Sequence, residues 1–193
     1  MIERVTISKM RYLELLGNVE QWAKDRGLDT VEARTQYTKL IEEQGELGLA
    51  IDTNNINGDS GVKDSLGDYQ VTLIIYCLIR GIDLKKQVEE EGSFWTEYDD
   101  LAQKHKEEGS FDVNKVFTYL VCSSSRIISA YNRNQPIQLE HLSVERTMEC
   151  LHDIAKEYNT TLEETLEMAY NEIKDRKGKM IDGVFVKEAD LNE

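Results

Sequence analysis

Four acidic residues at helical spacing could together bind a metal ion. Within the segment 39–84, Glu43 and Glu46 are three residues apart, and Asp64 and Asp68 are four apart. Each pair therefore shares one side of a helix, and these acids interrupt the apolar faces. Burying ionised carboxylates on such faces costs free energy unless they are paired or coordinate a metal. Oxygen ligands of this kind suit Mg²⁺ or Mn²⁺. If the two helices pack antiparallel across the Asn/Gly loop between them, four carboxylates converge on one site.

A purely structural role for the same acids is the alternative interpretation. Asp64 could stabilise the positive end of its helix, and the acids of the first helix could form a solvated charge run. Glu42 points about 160° away from the core residue Leu40, so we predict that Glu42 is solvated.

The helices that must position these acids follow from hydrophobic periodicity and from Gly, Asn and Ser punctuation. The predicted helices span about 8–26, 31–54, 62–80, 94–107, 112–133, 140–158 and 161–177. The apolar run 71–79 could be a buried strand, but Asp64, Asp68 and Val71 lie in line at helical spacing, which favours a helix. After Gly178, the Asp182-Gly183 pair predicts either a small hairpin or an irregular arm.

The composition favours one all-α domain covering residues 1–193. Leu, Glu, Lys, Ile and Ala dominate, Pro136 is the sole proline, and no linker-like stretch divides the chain. The longest apolar run is far shorter than the roughly 20 residues that span a bilayer. The N-terminal sequence lacks the basic and apolar regions of a signal peptide. We therefore predict a cytoplasmic protein with no membrane partner.

Charge and cysteine usage narrow the partners further. With 37 acidic and 23 basic residues, the formal charge of −14 repels a phosphate polymer, so we predict no nucleic-acid partner. A small anion accompanied by metal ions remains compatible with this charge. Cys77, Cys122 and Cys150 are far apart and are predicted to be reduced core residues. The Glu149-x-x-His152 spacing occurs once, whereas a di-iron bundle needs two copies, so His152 is predicted to lie on the surface.

Two stretches of the chain resemble a known enzyme family. KLIEEQGELGLAI, a loop and KDSLGDYQVTLIIYCLIRGIDL resemble the MazG-like, all-α nucleoside triphosphate pyrophosphohydrolases, whose signature is E-x-x-E followed by E-x-x-D on the next helix. Near the C-terminus, ETLEMAYNEIKDRKGKMIDGVFVKE resembles the last helix and basic motif of that family. The resemblance implies a helical bundle of the all-α NTP pyrophosphatase type, with an extra helical segment at about 92–140.

The resemblance also implies an activity and an assembly. Glu43 and Glu46 match the first acidic pair, and Asp68 matches the final Asp of the second pair. In the family such carboxylates hold Mg²⁺ and activate water, which splits a (deoxy)nucleoside triphosphate into the monophosphate and pyrophosphate. Glu43, Glu46 and Asp68 are accordingly the predicted catalytic residues, and Mg²⁺ is the predicted cofactor, with Mn²⁺ as the alternative. A homodimer or homotetramer is the predicted assembly.

The chain departs from the family pattern at one acidic position. Ser65 occupies the place of the first acid on the second helix. Asp64 could replace that acid as a metal ligand, or the Ser65 hydroxyl could hold a metal-bound water, since Mg²⁺ usually keeps several waters. Both alternatives are open at the level of sequence.

The leaving pyrophosphate needs cations, and the end of the last predicted helix carries several. The predicted substrate-binding residues are Asn171, Lys174, Arg176 and Lys179. Favourable placement of cations at a helix C-terminus explains the same basic residues about equally well.

Two other functions remain compatible with the sequence. One is a catalytically inactive helical binding or scaffold protein that lost a metal ligand at Ser65. The other is a phosphohydrolase that uses the same bundle but acts on a different pyrophosphate compound.

Overall fold

Seven helices and a two-stranded hairpin make up residues 2–90, 111–181 and 184–188, which are the parts of the chain described by this computed structural model. The two C-terminal strands pair antiparallel, with Gly178 opposite Lys187. A 3₁₀ turn, Leu28–Thr30, follows the first helix. The predicted all-α fold is confirmed, and the C-terminal arm is a hairpin. The elements are α1 (Ile2–Lys24), α2 (Ala33–Asp52), α3 (Val62–Arg80), α4 (Leu84–Glu90), α5 (Val113–Asn132), α6 (Ile137–Glu157), α7 (Leu162–Ile173), β1 (Gly178–Ile181) and β2 (Val184–Lys187).

Side-chain caps and a glycine fix the helix ends. The Glu32 carboxylate accepts a backbone hydrogen bond at the start of α2, and Asp112 does the same for α5. Thr161 and Glu164 form a reciprocal capping box at the start of α7. Gly81 ends α3 in a left-handed conformation with a φ of 66°, which glycine adopts without steric cost.

Helices α2 and α3 pack antiparallel. The Gln36 side chain at the start of α2 donates a hydrogen bond to the Thr72 carbonyl, with an Nε2–O distance of 3.0 Å. At the other end, the Val62 amide donates to the Asn55 carbonyl over 2.8 Å. The C-terminal half of α2 therefore lies beside the N-terminal half of α3, which is the arrangement that lets acids of both helices converge.

Helix α7 approaches α3 closely at Gly67. A Cβ atom at this position would lie 2.4 Å from the Thr165 carbonyl oxygen, so only glycine fits without moving the backbone. One turn later, the buried Gln70 amide donates to the Thr165 hydroxyl over 2.8 Å. This contact brings the end of α7 close to Asp68, the residue that follows Gly67.

Helices α5 and α6 form a helical hairpin, distinct from the β-hairpin, and a buried ion pair connects it to α3. The fully buried Glu140 carboxylate accepts hydrogen bonds from the Tyr76 hydroxyl at 2.8 Å and from Arg80 Nε and Nη2 at 3.0 and 2.9 Å. The Arg80 guanidinium also stacks on the Tyr131 ring. The apolar core includes residues from all seven helices of the described chain.

Several predicted boundaries differ from the observed ones. Helix α1 begins at Ile2 rather than at position 8, and α6 begins directly after Pro136, whose fixed φ suits a helix start. The short α4 was not predicted. The predicted helix at 94–107 lies outside the described residues. Helix α7 ends at Ile173, four residues early, because the chain then turns into the hairpin.

Two predictions about individual side chains are wrong. Cys77 is buried as expected and Cys150 is partly buried, but Cys122 is exposed. His152 is buried, with 7% of its surface exposed, rather than on the surface. Among the described residues, no helix has both the length and the apolar character that crossing a membrane requires.

Candidate functional site

An open cleft of about 700 Å³ lies between α2, α3, α7 and the hairpin. It combines three kinds of side chain in one volume, and we call it the acidic cleft. Its acidic lining residues are Glu42, Glu43, Glu46, Asp68 and Glu172. Its basic lining residues are Lys39, Arg176 and Lys187. Its apolar lining residues include Trp22, Leu28, Val31, Val71, Ile75, Ile173 and Phe185.

The three acids predicted to be catalytic are brought together in this cleft. Glu43 and Glu46 project from the C-terminal half of α2, and Asp68 projects from the N-terminal half of α3. The antiparallel packing of these helices places them on the same side of the molecule. Glu42 is exposed, as predicted, and its carboxylate pairs with Lys39 within the cleft.

Burial, together with the proximity of other carboxylates, raises the pKa values of two of these acids. Burial raises the pKa of Glu43 to about 7, with further contributions from Asp68 and then Glu46, while Lys39 acts in the opposite direction. A carboxyl group so affected binds a proton near neutral pH, because both burial and a nearby negative charge disfavour ionisation.

Asp68 is affected in the same way by acids from three helices. Burial raises its pKa to about 6, followed by the effects of Asp64 and Glu172, and Glu46 contributes least. Arg176 lowers the same pKa. The cleft therefore holds more negative charge than its own cations neutralise, which is the electrostatic condition for binding an added cation.

Asp64 and Ser65 lie at the edge of this arrangement. Asp64 is not a lining residue, and its Oδ2 accepts a hydrogen bond from the Ser60 amide over 3.0 Å, although it is close enough to raise the pKa of Asp68. Ser65 is buried, with 1% exposure, and its hydroxyl has no hydrogen-bond partner among the described residues. The position that holds an acid in the MazG-like signature is therefore occupied in this chain by Ser65, which carries no negative charge.

The end of α7 contributes one cation that the sequence predicted and one acid that it missed. Arg176 and Glu172 are four residues apart, form an ion pair and both line the cleft. The Arg176 carbonyl accepts a hydrogen bond from Arg26 Nη2 over 2.7 Å, and the Arg26 guanidinium lies 4.5 Å from the Trp22 ring centroid. Arg26 therefore fixes the backbone that carries Arg176.

The other three predicted substrate-binding residues do not line the cleft. Lys174 instead donates a hydrogen bond to Asn171 Oδ1 over 2.9 Å. Lys179 is exposed on β1, opposite Val186. The cation that the hairpin brings to the cleft is Lys187.

Trp22 and Phe185 form part of an apolar wall beside the charged residues. The Trp22 indole donates a hydrogen bond to the Ile173 carbonyl over 2.8 Å, and the two rings meet edge to face with centroids 6.0 Å apart. A wall of this kind, with its polar groups already satisfied, suits a planar apolar ligand group.

The donor chemistry of the acidic cleft suits Mg²⁺, although its side chains are not yet arranged around an ion. Within the described residues, no three His, Cys, Asp or Glu side chains already form a group that could hold a metal. Glu46 is exposed and Glu43 and Asp68 are only partly buried, so changes of side-chain rotamer can bring their oxygens together. Burial and the nearby acids raise the pKa values of Glu43 and Asp68, and a bound divalent ion would offset this cost of holding both carboxylates ionised.

Besides Glu42, which was predicted to be solvated, three charged residues of the cleft were not predicted from the sequence. Glu172 had a signal, because it lies four residues before Arg176, a spacing that places both side chains on one side of the predicted helix 161–177. Lys39 had a weaker one, since it precedes Glu43 by four residues. Lys187 had no such signal in the sequence, because it reaches the cleft only through the folding of the β-hairpin.

We expect Glu43→Gln to stabilise the metal-free protein, and increasingly so as the pH rises. Because the folded-state pKa of about 7 exceeds the unfolded value, ionisation costs stability between about pH 4.5 and pH 7. Gln removes this cost, on the order of 2 kcal/mol, so its advantage should be absent below pH 4.5 and complete above pH 7. Thermal unfolding in EDTA across this range measures it. An advantage that is independent of pH would contradict the assigned electrostatics.

Comparisons with known proteins leave the family open. No protein-family model matches the chain. A curated relative from Haemophilus phage HP1 (strain HP1c1), described as an uncharacterized 18.2 kDa protein in the rep-hol intergenic region, is 38% identical over 71 residues. That alignment covers 36% of this chain and 42% of the relative. No solved structure matches.

Proposed function

We propose that this protein is a Mg²⁺-dependent nucleoside triphosphate pyrophosphohydrolase, which converts a (deoxy)nucleoside triphosphate and water into the monophosphate and pyrophosphate. The observation that carries the proposal is the acidic cleft, where carboxylates from three helices, three cationic side chains and an apolar wall share one volume. Its volume of about 700 Å³ lies within the usual range for small-molecule sites. The sequence resemblance of α2 and α3 to the MazG-like family supports the same activity.

Glu43, Glu46 and Asp68 would hold the metal, with Glu172 as a further carboxylate beside them. Bound Mg²⁺ supplies positive charge to the triphosphate and lowers the pKa of a coordinated water. Without the metal, Glu43 and Asp68 take up protons near neutral pH because burial, and then the negative charges of nearby acids, raise the pKa values of both carboxyl groups. Metal binding should therefore release protons at pH 6 to 7.

The cations of the cleft would bind the phosphate chain. Arg176 can form two parallel hydrogen bonds with phosphate oxygens, and Arg26 holds its backbone in place. Lys187 provides a second positive charge from the hairpin. Attack of water on the α-phosphorus would form one P–O bond and release the water proton to solvent. The bond between the α-phosphorus and the bridging oxygen breaks, and its electron pair leaves with pyrophosphate. Arg176 and Lys187 would stabilise the charge that develops on this leaving group.

The apolar wall would contact the nucleoside. Trp22, Phe185 and Ile75 line the cleft next to the charged residues, so a triphosphate bound at the carboxylates would extend its base toward them. Two classes of ligand group, an anionic chain and a planar ring, thus match two adjacent parts of the cleft.

Ser65 favours a second candidate function, that of an inactive helical scaffold. Its buried hydroxyl supplies no negative charge at the place of the family acid. In this case the bundle would persist without binding metal. Glu172 argues for the enzyme, because it adds to the cleft an acid from α7 that the α2–α3 signature does not include.

We expect Glu46→Gln to lower the affinity for Mn²⁺ by about tenfold or more, since it removes one charged ligand while keeping the side-chain size. Isothermal titration calorimetry of the purified protein measures the affinity, and circular dichroism verifies the fold. Asp52→Asn on the same helix removes one negative charge outside the cleft and should change little. Equal affinities of wild type and Glu46→Gln would reject the ligand assignment, and no metal binding at all would favour the scaffold.

The remaining proposals concern assembly and substrate. We propose a homodimer or homotetramer in the cytoplasm, and light scattering measures the assembly directly. A panel of nucleotides and other pyrophosphate compounds would identify the substrate class, including the alternative in which the same cleft cleaves a different pyrophosphate bond.

A further inference from the structure

A second cleft, of about 360 Å³, lies between α5 and α6, the helical hairpin that contributes nothing to the acidic cleft. Three arginines line it, and we call it the arginine cleft. None of the described residues that line it is acidic, in a chain whose formal charge is −14. Its charged residues are Arg126, Arg133 and Arg146.

The arginines of this cleft lie beside exposed apolar side chains. Arg126 and Arg133 are seven residues apart, two turns along the same side of α5. Arg146 faces them from α6. Leu139 and Leu142 also line the cleft, and they remain 43% and 50% exposed. The cleft thus offers both cations and uncovered apolar surface to the same ligand.

Two of the three guanidinium groups lack a side-chain partner among residues 2–90, 111–181 and 184–188. Arg146 forms an ion pair with Glu149 at 2.8 Å. The side chains of Arg126 and Arg133 form no hydrogen bond or ion pair within the described residues, although the chain carries many acids. The helix dipole accounts for Arg133, which lies at the C-terminal end of α5, but not for Arg126 two turns earlier.

We propose that the arginine cleft binds a small phosphate-bearing molecule that also has an apolar part. Guanidinium groups match the geometry of phosphate oxygens, and pairs of them fix a dianion more strongly than single lysines. The volume of about 360 Å³ is that of a small-molecule site rather than a groove for a folded partner. Leu139 and Leu142 would cover the apolar part, and Ser129 and Gln135 offer further polar groups at the cleft.

This site is separate from the acidic cleft in its elements and in its chemistry. The arginine cleft needs no metal to attract a phosphate, whereas the acidic cleft repels one unless a divalent cation is present. Chelation of metal therefore distinguishes binding at the two places. The inference does not depend on the proposed hydrolase activity.

Titration of the full-length protein with phenyl phosphate in EDTA tests the proposal. We expect saturable binding by calorimetry, weakened at least about tenfold in the Arg126→Gln/Arg133→Gln variant. Lys115→Gln/Lys86→Gln removes two positive charges outside the cleft and should bind like the wild type. Inorganic phosphate should bind more weakly than phenyl phosphate, and Leu142→Ala should reduce only the affinity for phenyl phosphate.

Three outcomes would overturn the inference. The first is that phenyl phosphate does not bind, and the second is that the Arg126→Gln/Arg133→Gln variant binds it as tightly as the wild type. The third is loss of binding in Arg176→Gln, which would place the ligand in the acidic cleft. Circular dichroism of each variant separates loss of binding from loss of fold. The single variant Arg126→Gln, at an exposed position, provides the same comparison if the double variant does not fold.

Discussion

Replacing Asp68 with Asn is expected to lower the proposed nucleotide hydrolysis by at least about 100-fold, because loss of a residue proposed as a direct metal ligand should cost no less than loss of a supporting contact. The same change should stabilise the metal-free protein. Burial, followed by the charges of Asp64, Glu172 and Glu46, raises the pKa of Asp68 to about 6. At pH 8 its ionisation costs stability on the order of 2 kcal/mol, and Asn removes that cost.

The two effects should be measured on the same preparation. Initial rates with Mg²⁺ give the loss of activity, and thermal unfolding in EDTA at pH 8 gives the gain in stability. The combination is specific to a residue that is kept for function at the expense of stability. If Asp68→Asn were less stable and retained its activity, Asp68 would be a structural residue and the site assignment would be wrong.

Replacing Glu140 with Ala is expected to destabilise the protein by about 3 kcal/mol or more without affecting the acidic cleft. Glu140 is fully buried and accepts hydrogen bonds from Tyr76 and Arg80, so its removal leaves a hydroxyl and a guanidinium without their partner. For a chain of this size the melting temperature should fall by roughly 6–12 °C.

An exposed ion pair provides the control for this prediction. Glu14 pairs with Arg11 at 2.8 Å on the surface of α1, and Glu14→Gln should leave the melting temperature nearly unchanged. The Mn²⁺ affinity of Glu140→Ala should match the wild type below its melting temperature. A melting temperature unchanged by Glu140→Ala would show that the buried pair contributes no net stability.

Local chemistry made much of the fold predictable. The run 71–79 could be assigned to a helix because Asp64, Asp68 and Val71 lie in line, and α3 has the predicted bounds of 62–80. The end of α7 was misplaced because its periodicity continues to Arg176, whereas the backbone leaves the helix at Ile173 to enter the hairpin. Burial of His152 depends on the packing of α6 against its neighbours, which local spacing does not encode.

The candidate site was predictable where it depends on adjacent helices. Glu43, Glu46 and Asp68 could be grouped because a short loop forces α2 and α3 to pack antiparallel. The contributions of Glu172 and Lys187 depend on long-range contacts, namely the approach of α7 to Gly67 and the return of β2. Lys174 and Lys179 were included because a basic sequence near a helix end does not show which side chains face inward.

Phosphorus NMR of a deoxynucleoside triphosphate incubated with the protein and Mg²⁺ tests the proposed activity most directly. We predict that nucleoside monophosphate and pyrophosphate appear in equal amounts from the first time point, with no diphosphate intermediate. Accumulation of nucleoside diphosphate and orthophosphate would contradict cleavage at the α-phosphate, and the absence of turnover across a panel of nucleotides would contradict the proposed enzyme.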